Sequence, residues 1–413
     1  MNDPKIGIYA GSGTSHSWLW FVDLFEKAGF YDLQFLTEDA VQNDDIKTLD
    51  VLILSGGDTF AVAESLGKKG GDNIRAFVEN GGIYIGSCAG AYLPMNSSKP
   101  PLDLFNFVDV KITNLSKSFP MAQVKTCKFC TAYGCDYVFH PVREAVSLKT
   151  TSFFDKEKTV EFPAPLYGGP GMKARDPSWV LAVYERFTPK TSFLTTRKIA
   201  EKTLIGQGAV LKIPHKEGVF YLLGPHLEHP KFKQANQFIA DAICREISKK
   251  HPYIDPAEKK MGAARQQLSG KKAKELLLPI RRELSNSRIV AGSLEFLPVQ
   301  WQIGQKTYEP QKIRVYLEAL WKRLNVLDKF KTISLDPGIS EKIATSAGRT
   351  TMELRRIKQQ IDADQESLET AVVIFDLLHA LAILFFELYF STLSTEKMHR
   401  QTVKDLMASP PSP

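Results

Sequence analysis

The run Gly82-Ile83-Tyr84-Ile85-Gly86-Ser87-Cys88-Ala89-Gly90 constrains this chain more than any other stretch. An apolar segment of strand character stops at a turn with a cysteine at its apex and small residues on both sides. Such a turn is strained, and a Cβ next to the apex would clash, so glycine and alanine are the residues it requires. The pattern is G-x-C-x-G, the cysteine form of a nucleophile elbow. A buried structural thiol in a glycine-rich turn is the competing reading.

The surrounding sequence supplies the strands and helices that an elbow needs. Lys5–Tyr9, Leu33–Leu36 and Val51–Leu54 are predicted strands. Helical spacing runs through Leu19, Val22 and Phe25, and again over Ile74–Val78. Near-continuous apolar strands alternating with helices predict an α/β fold, a parallel sheet covered on both faces. Residues 121–225 are richer in Pro and Gly, with strands over 179–187, 208–213 and 219–223. A helix over 233–248 closes this part. The composition shifts near His251, and helical patterns follow over 313–324, 340–347, 352–361 and 366–392. The predicted organisation is an α/β domain over 1–250, a mostly helical region over 255–405 and a disordered tail over 406–413. Gly270 punctuates the start of the helical part.

Composition narrows the partners. With 413 residues, 43% hydrophobic and 24% charged, the chain reads as globular. A net charge of +7 is mild at this length. The basic stretch 255–290 interleaves Glu258, Glu275 and Glu283 with its lysines and arginines and holds few aromatics, so it reads as a solvated helix face and not a nucleic-acid surface. Five cysteines with no regular framework fit reduced thiols in a cytoplasm. The N-terminus shows no signal-peptide pattern. Residues 371–390 have the length and apolarity of a bilayer span, but Asp376, His379 and Glu387 lie inside it. A buried helix, or one in an oligomer or partner interface, is the reading preferred over membrane association.

A cysteine at an elbow acts chemically only as a thiolate. A helix N-terminus lowers its pKa, an imidazole takes its proton, and a third group orients the imidazole. Gly224-Pro225-His226-Leu227-Glu228-His229 offers that pair, His226 and Glu228, after a late strand. Strand ends on one edge of an α/β sheet converge, so Cys88 and His226 can meet. A plain loop histidine is the alternative for His226, and His229 is assigned no role. Gly56-Gly57-Asp58 follows the third predicted strand. The Gly57 and Ala89 N–H groups would form an oxyanion hole, unless Gly-Gly is only a turn. Gly168 and Gly169, in Gly168-Gly169-Pro170-Gly171, either line the pocket or bend the chain. A further set, Cys127-x2-Cys130-x4-Cys135-x4-His140, has ligand types and spacing suited to Zn²⁺. Strand alternation would split those ligands between two faces, and ordinary thiols are the alternative. No other cofactor is expected.

Five segments in order carry a family resemblance. They are Tyr9-Ala10-Gly11-Ser12-Gly13-Thr14-Ser15, Ser55-Gly56-Gly57-Asp58, Gly81 to Tyr92, Tyr167-Gly168-Gly169-Pro170, and Gly224-Pro225-His226-Leu227-Glu228. The first 250 residues or so resemble the class I glutamine amidotransferase-like superfamily. Within it they look most like the N-terminal domain of eukaryotic biotin–protein ligases and its stand-alone prokaryotic counterparts. The resemblance implies a flavodoxin-like sandwich, Cys88 as nucleophile, His226 as base, Glu228 as orienting acid and a glutamine-type amide as substrate class. Leu227 stands where that family usually has proline. The ligase signatures, an adenylate loop and a Lys-Trp-Pro-Asn-Asp-like segment, are absent, so the chain is not expected to ligate biotin. Two functions follow: a hydrolase or amidotransferase-like enzyme acting on a small amide or acyl substrate through a thioester, or a non-catalytic ligand-binding module whose helical region binds a partner. No ammonia-accepting synthetase domain is recognisable, which keeps the second open.

Overall fold

A computed structural model describes residues 4–116, 138–152, 154, 158–250, 266–269, 271–304, 306–330, 332–335 and 338–408. The N-terminal part is built on β1 (Ile6–Tyr9), α1 (Trp18–Ala28), β2 (Leu33–Leu36), α2 (Glu38–Gln42), β3 (Val51–Leu54), α3 (Thr59–Glu79), β4 (Ile83–Ser87) and the short α4 (Ala89–Tyr92). Then come β5 (Val110–Ile112), β6 (Val142–Thr150), β7 (Glu161–Leu166), β8 (Met172–Ala174), β9 (Val180–Phe187), β10 (Ser192–Phe193), α5 (Arg197–Leu204), β11 (Gly208–His215), β12 (Gly218–Leu223) and α6 (Lys233–Lys250).

Strands β2-β1-β3-β4-β12 lie side by side and parallel. This is the flavodoxin-like order, with the first strand inside and the second at the edge. On the far side of β12 the sheet turns antiparallel through β11, β9 and β6. Residue alternation distributes the apolar strands between two faces. Ile6, Ile8, Val51, Ile53, Ile83 and Ile85 point to the face covered by α1. Tyr9, Leu52, Leu54 and Tyr84 point to the face covered by α3. Because both faces are packed, the strands are near-continuously apolar rather than apolar at alternate positions.

The C-terminal part comprises β13 (Gln266–Ser269), α7 (Lys271–Leu294), β14 (Trp301–Ile303), β15 (Lys306–Tyr308), α8 (Pro310–Leu327), β16 (Thr332–Leu335), α9 (Ile339–Asp362) and α10 (Leu368–Ala408). Its helices join the α1-side core without a break. Trp18 packs on Phe386 at 5.7 Å between ring centroids, and Phe35 on the same ring at 5.6 Å. Arg323 of α8, fully buried, pairs with Asp23 and Glu26 of α1, each at 2.7 Å. His379 of α10 sits between the Ala10 carbonyl, at 3.3 Å, and the Tyr316 hydroxyl, at 2.5 Å. Helix α10 is long and apolar enough to cross a membrane over Leu368–Thr395, with mean hydropathy 2.2, and half of that stretch is buried in the molecule.

Two elements differ from expectation. The helices expected over 340–347 and 352–361 are one continuous helix, α9. Thr350 and Thr351 donate back to the Ser346 and Ala347 carbonyls at 2.9 and 3.0 Å, so their hydroxyls are satisfied inside the helix. Helix α10 continues to Ala408, so residues 406–408, expected in the tail, are helical. Leu406, Met407 and Ala408 are all good helix formers.

Candidate active site

The site lies at the C-terminal ends of β3, β4 and β12, where a doubly wound sheet opens its crevice. Strand β4 ends at Ser87, and α4 starts at Ala89. Cys88 between them has φ 53° and ψ −104°, a conformation that costs energy for any residue with a Cβ. Its neighbours show why the turn tolerates no larger residue. A Cβ on Gly86 would lie 2.1 Å from the Gly90 carbonyl oxygen, and one on Gly90 would lie 2.1 Å from that of Leu54. The Cys88 N–H donates to the Leu223 carbonyl at 2.9 Å, which ties the elbow to the end of β12. The 226–228 segment follows directly.

His226 and Glu228 fold onto each other there. His226 Nδ1 lies 2.6 Å from Glu228 Oε1, and neither side chain is appreciably exposed. The Ser87 hydroxyl reaches both carboxylate oxygens, at 3.0 and 2.9 Å, and so fixes Glu228 from the opposite side. With Nδ1 held by Glu228, Nε2 is the nitrogen left to face the thiol. Cys88 and His226 act on each other electrostatically, each favouring the charged form of the other. Trp20 and Tyr167 enclose the imidazole at centroid distances of 5.4 and 5.8 Å.

The electrostatics favour a charged pair. Burial alone pushes the Cys88 thiol up, but the His226 imidazolium and the Lys306 ammonium bring it below the ordinary thiol range. Burial opposes a charge on His226, yet the Glu228 carboxylate and the Cys88 thiolate raise its pKa.

Gly57 and Ala89 both border a cavity of about 390 Å³ whose wall includes Cys88. Ser15 N–H to the Gly56 carbonyl (2.9 Å) and Asp58 N–H to the Gly13 carbonyl (2.8 Å) flank Gly57. That pattern turns Gly57's own N–H away from the Gly13–Ser15 segment. Ala89 N–H belongs to the first turn of α4, where no intrahelical acceptor exists. Gly168 also lines the cavity, while Gly169 backs onto Gly224: a Cβ there would lie 1.7 Å from the Gly224 oxygen. His140 is on the cavity wall against Gly168, and burial lowers its pKa to about 3, leaving it neutral. Cys127, Cys130 and Cys135 lie outside the described residues. Among the described residues no three His, Cys, Asp or Glu side chains gather as metal ligands.

Three contributors escaped the sequence reading. Ser87 was quoted in the elbow but given no role. Strand parity puts it on the same face as Ile83 and Ile85, and that signal was readable. Gly56 matters because a Cβ there would sit 2.6 Å from His226 Cε1. Gly56→Ala is therefore expected to push the imidazole off the thiol. It should slow alkylation of Cys88 by iodoacetamide at neutral pH on the order of tenfold, with circular dichroism unchanged. Lys306, on the β14–β15 hairpin, reaches the cavity from far along the chain.

Comparison with known proteins places the chain in a family. Among solved structures it is similar to a ThuA-like protein from Bacteroides uniformis (TM-score 0.35, 16% identity, 60% of this chain and 94% of that one). It is similar to a cytoplasmic protein of Salmonella typhimurium LT2 (TM-score 0.33, 12% identity, 58% and 98%). It is also similar to a β-galactosidase from Rahnella sp. R3 (TM-score 0.33, 11% identity, 64% and 34%), so the chain spans about a third of that enzyme's length. No curated protein matches it. Residues 5–255, more than half of the chain, match the family described as biotin-protein ligase, N terminal. The chain belongs to the biotin–protein ligase N-terminal family.

Proposed function

We propose that the chain is a cysteine-nucleophile hydrolase of the glutamine amidotransferase type, acting on a small amide or related acyl substrate. The observation that carries this reading is the relay Cys88–His226–Glu228–Ser87 on a strained elbow that opens into a cavity. The Cys88 thiolate attacks the acyl carbon, and a C–S bond forms. The developing oxyanion is received by the N–H groups of Ala89 and Gly57. His226 gives its proton to the leaving nitrogen, the C–N bond breaks, and a thioester remains. Water then attacks the thioester while His226 takes its proton. The acid leaves, and the thiolate is restored. Five cysteines without a regular framework support a reducing compartment, and we place the protein in the cytoplasm.

An electrophilic glutamine analogue, 6-diazo-5-oxo-norleucine, tests the reading by mass spectrometry of the adduct. One adduct on Cys88 is expected, absent in Cys88→Ala, and formed well ahead of any adduct on the exposed Cys244. If Cys88 reacts no faster than Cys244, the relay is idle and the chain is a ligand-binding module.

A further inference from the structure

We propose that the β14–β15 hairpin completes the site, with Lys306 as a specificity-determining residue that selects substrates bearing an anionic group beside the acyl carbon. This inference rests on the hydrolase reading above. The hairpin lies beyond residues 5–255, the part the family match covers, so the family domain alone does not supply this charge.

Three observations carry it. First, Lys306 borders the same cavity as Cys88, Gly57 and Ala89, and its charge acts on the Cys88 thiol. Second, among the described residues the charged side chains on the cavity wall are Lys99, Lys111, Lys306 and Asp58, three cations against one anion. Asp58 Oδ1 accepts from the Phe60 and Ala61 N–H groups at 3.1 and 3.3 Å, capping α3. A low-dielectric cavity with an excess of one sign concentrates ligands of the other. Third, the hairpin is fixed. Trp301 Nε1 donates to the Ser367 hydroxyl at 3.0 Å, and Tyr308 packs on Phe375 at 4.4 Å between ring centroids. A built Cβ at Gly304 in its turn would stand 3.7 Å from Asp58 Oδ2, so the turn rests over the cavity rim. Lys306 is thus a preplaced cation on an anchored element, set beside the nucleophile.

The test needs no knowledge of the natural substrate. Iodoacetate and iodoacetamide both lose iodide to the Cys88 thiolate, and they differ in one carboxylate. A change in thiolate fraction affects both rates equally, so their ratio reports only recognition of the anion. The ratio of iodoacetate to iodoacetamide rate at Cys88 is expected to fall about fivefold to tenfold in Lys306→Met and to stay near wild type in Lys306→Arg. Lys306→Gln, with a polar side chain of similar length, repeats the measurement should Lys306→Met fold poorly. Protection of Cys88 from iodoacetamide by succinate and by inorganic phosphate then tells whether the anion is a carboxylate or a phosphoryl group. Protection by either is expected to weaken in Lys306→Gln. An unchanged ratio with Lys306-independent protection would overturn the inference while leaving the hydrolase standing. Absence of any labelling at Cys88 in the wild type would count against the hydrolase itself.

Discussion

His226→Ala is expected to move the onset of Cys88 alkylation to alkaline pH, slowing the reaction with iodoacetamide on the order of a hundredfold at pH 7. The reason is the balance of opposing effects at the thiol. Burial holds Cys88 in its neutral form, and the charge of the imidazolium, with that of Lys306, outweighs that penalty. Remove the ring and burial is left opposed mainly by Lys306. The sign is fixed: a thiol whose pKa is lowered reacts at pH values where an ordinary thiol does not, and a thiol whose pKa is raised loses that range. Glu228→Gln should give a smaller change in the same direction, because His226 keeps its ring but loses the carboxylate that raises its pKa. Pseudo-first-order alkylation rates between pH 5 and 10 measure both. A His226→Ala profile superimposable on the wild type would mean that the thiol is not activated by this ring.

The distance between what was legible in the sequence and what needed the structure follows from how each residue is placed. Cys88, His226 and Glu228 announce themselves because each follows a strand end, and strand ends of a parallel sheet share an edge. The parallel sheet itself was readable from near-continuous apolar strands, and the sheet order follows the flavodoxin-like arrangement that the resemblance implied. Gly56 was quoted only as part of a loop, since its role depends on where a side chain more than 160 residues away comes to rest, a separation that no local pattern encodes. Lys306 lies on a short hairpin in a region read as mostly helical. A three-residue strand pair such as Trp301–Ile303 and Lys306–Tyr308 gives too few positions for alternation to show. His140 entered the reading as a ligand by spacing alone. The structure puts it on the cavity wall beside Gly168, a placement that depends on long-range packing. The gap expected between 347 and 352 is closed by a continuous helix, in which Thr350 and Thr351 satisfy their hydroxyls on the preceding turn.

Arg323→Met is expected to destabilise the protein by about 3–5 kcal/mol at pH 7, the cost of leaving partly buried charges without their partner. Arg323 has no exposed surface, and its guanidinium lies 5.0 Å from the centre of the Phe386 ring while pairing with Asp23 and Glu26. Burial pushes the Asp23 carboxyl up, and Arg323 and Lys322 together hold it below its ordinary range. A carboxyl so depressed stabilises the fold above its unfolded pKa, and that contribution is lost as the pH falls through the folded value. The penalty in Arg323→Met should therefore shrink in acid, where Asp23, left with Lys322 alone, takes up a proton more readily. Urea unfolding of both proteins at pH 7 and at about pH 4 checks the sign, and a penalty that grew in acid would refute the account. The same pairing holds α8 against α1, and α8 begins at Pro310, two residues after the β15 strand that carries Lys306. Loosening this contact should thus also lower the preference of Cys88 for iodoacetate over iodoacetamide. A stability defect and a specificity defect from one buried arginine that does not line the cavity would tie the packing of the C-terminal helices to the chemistry of the N-terminal sheet.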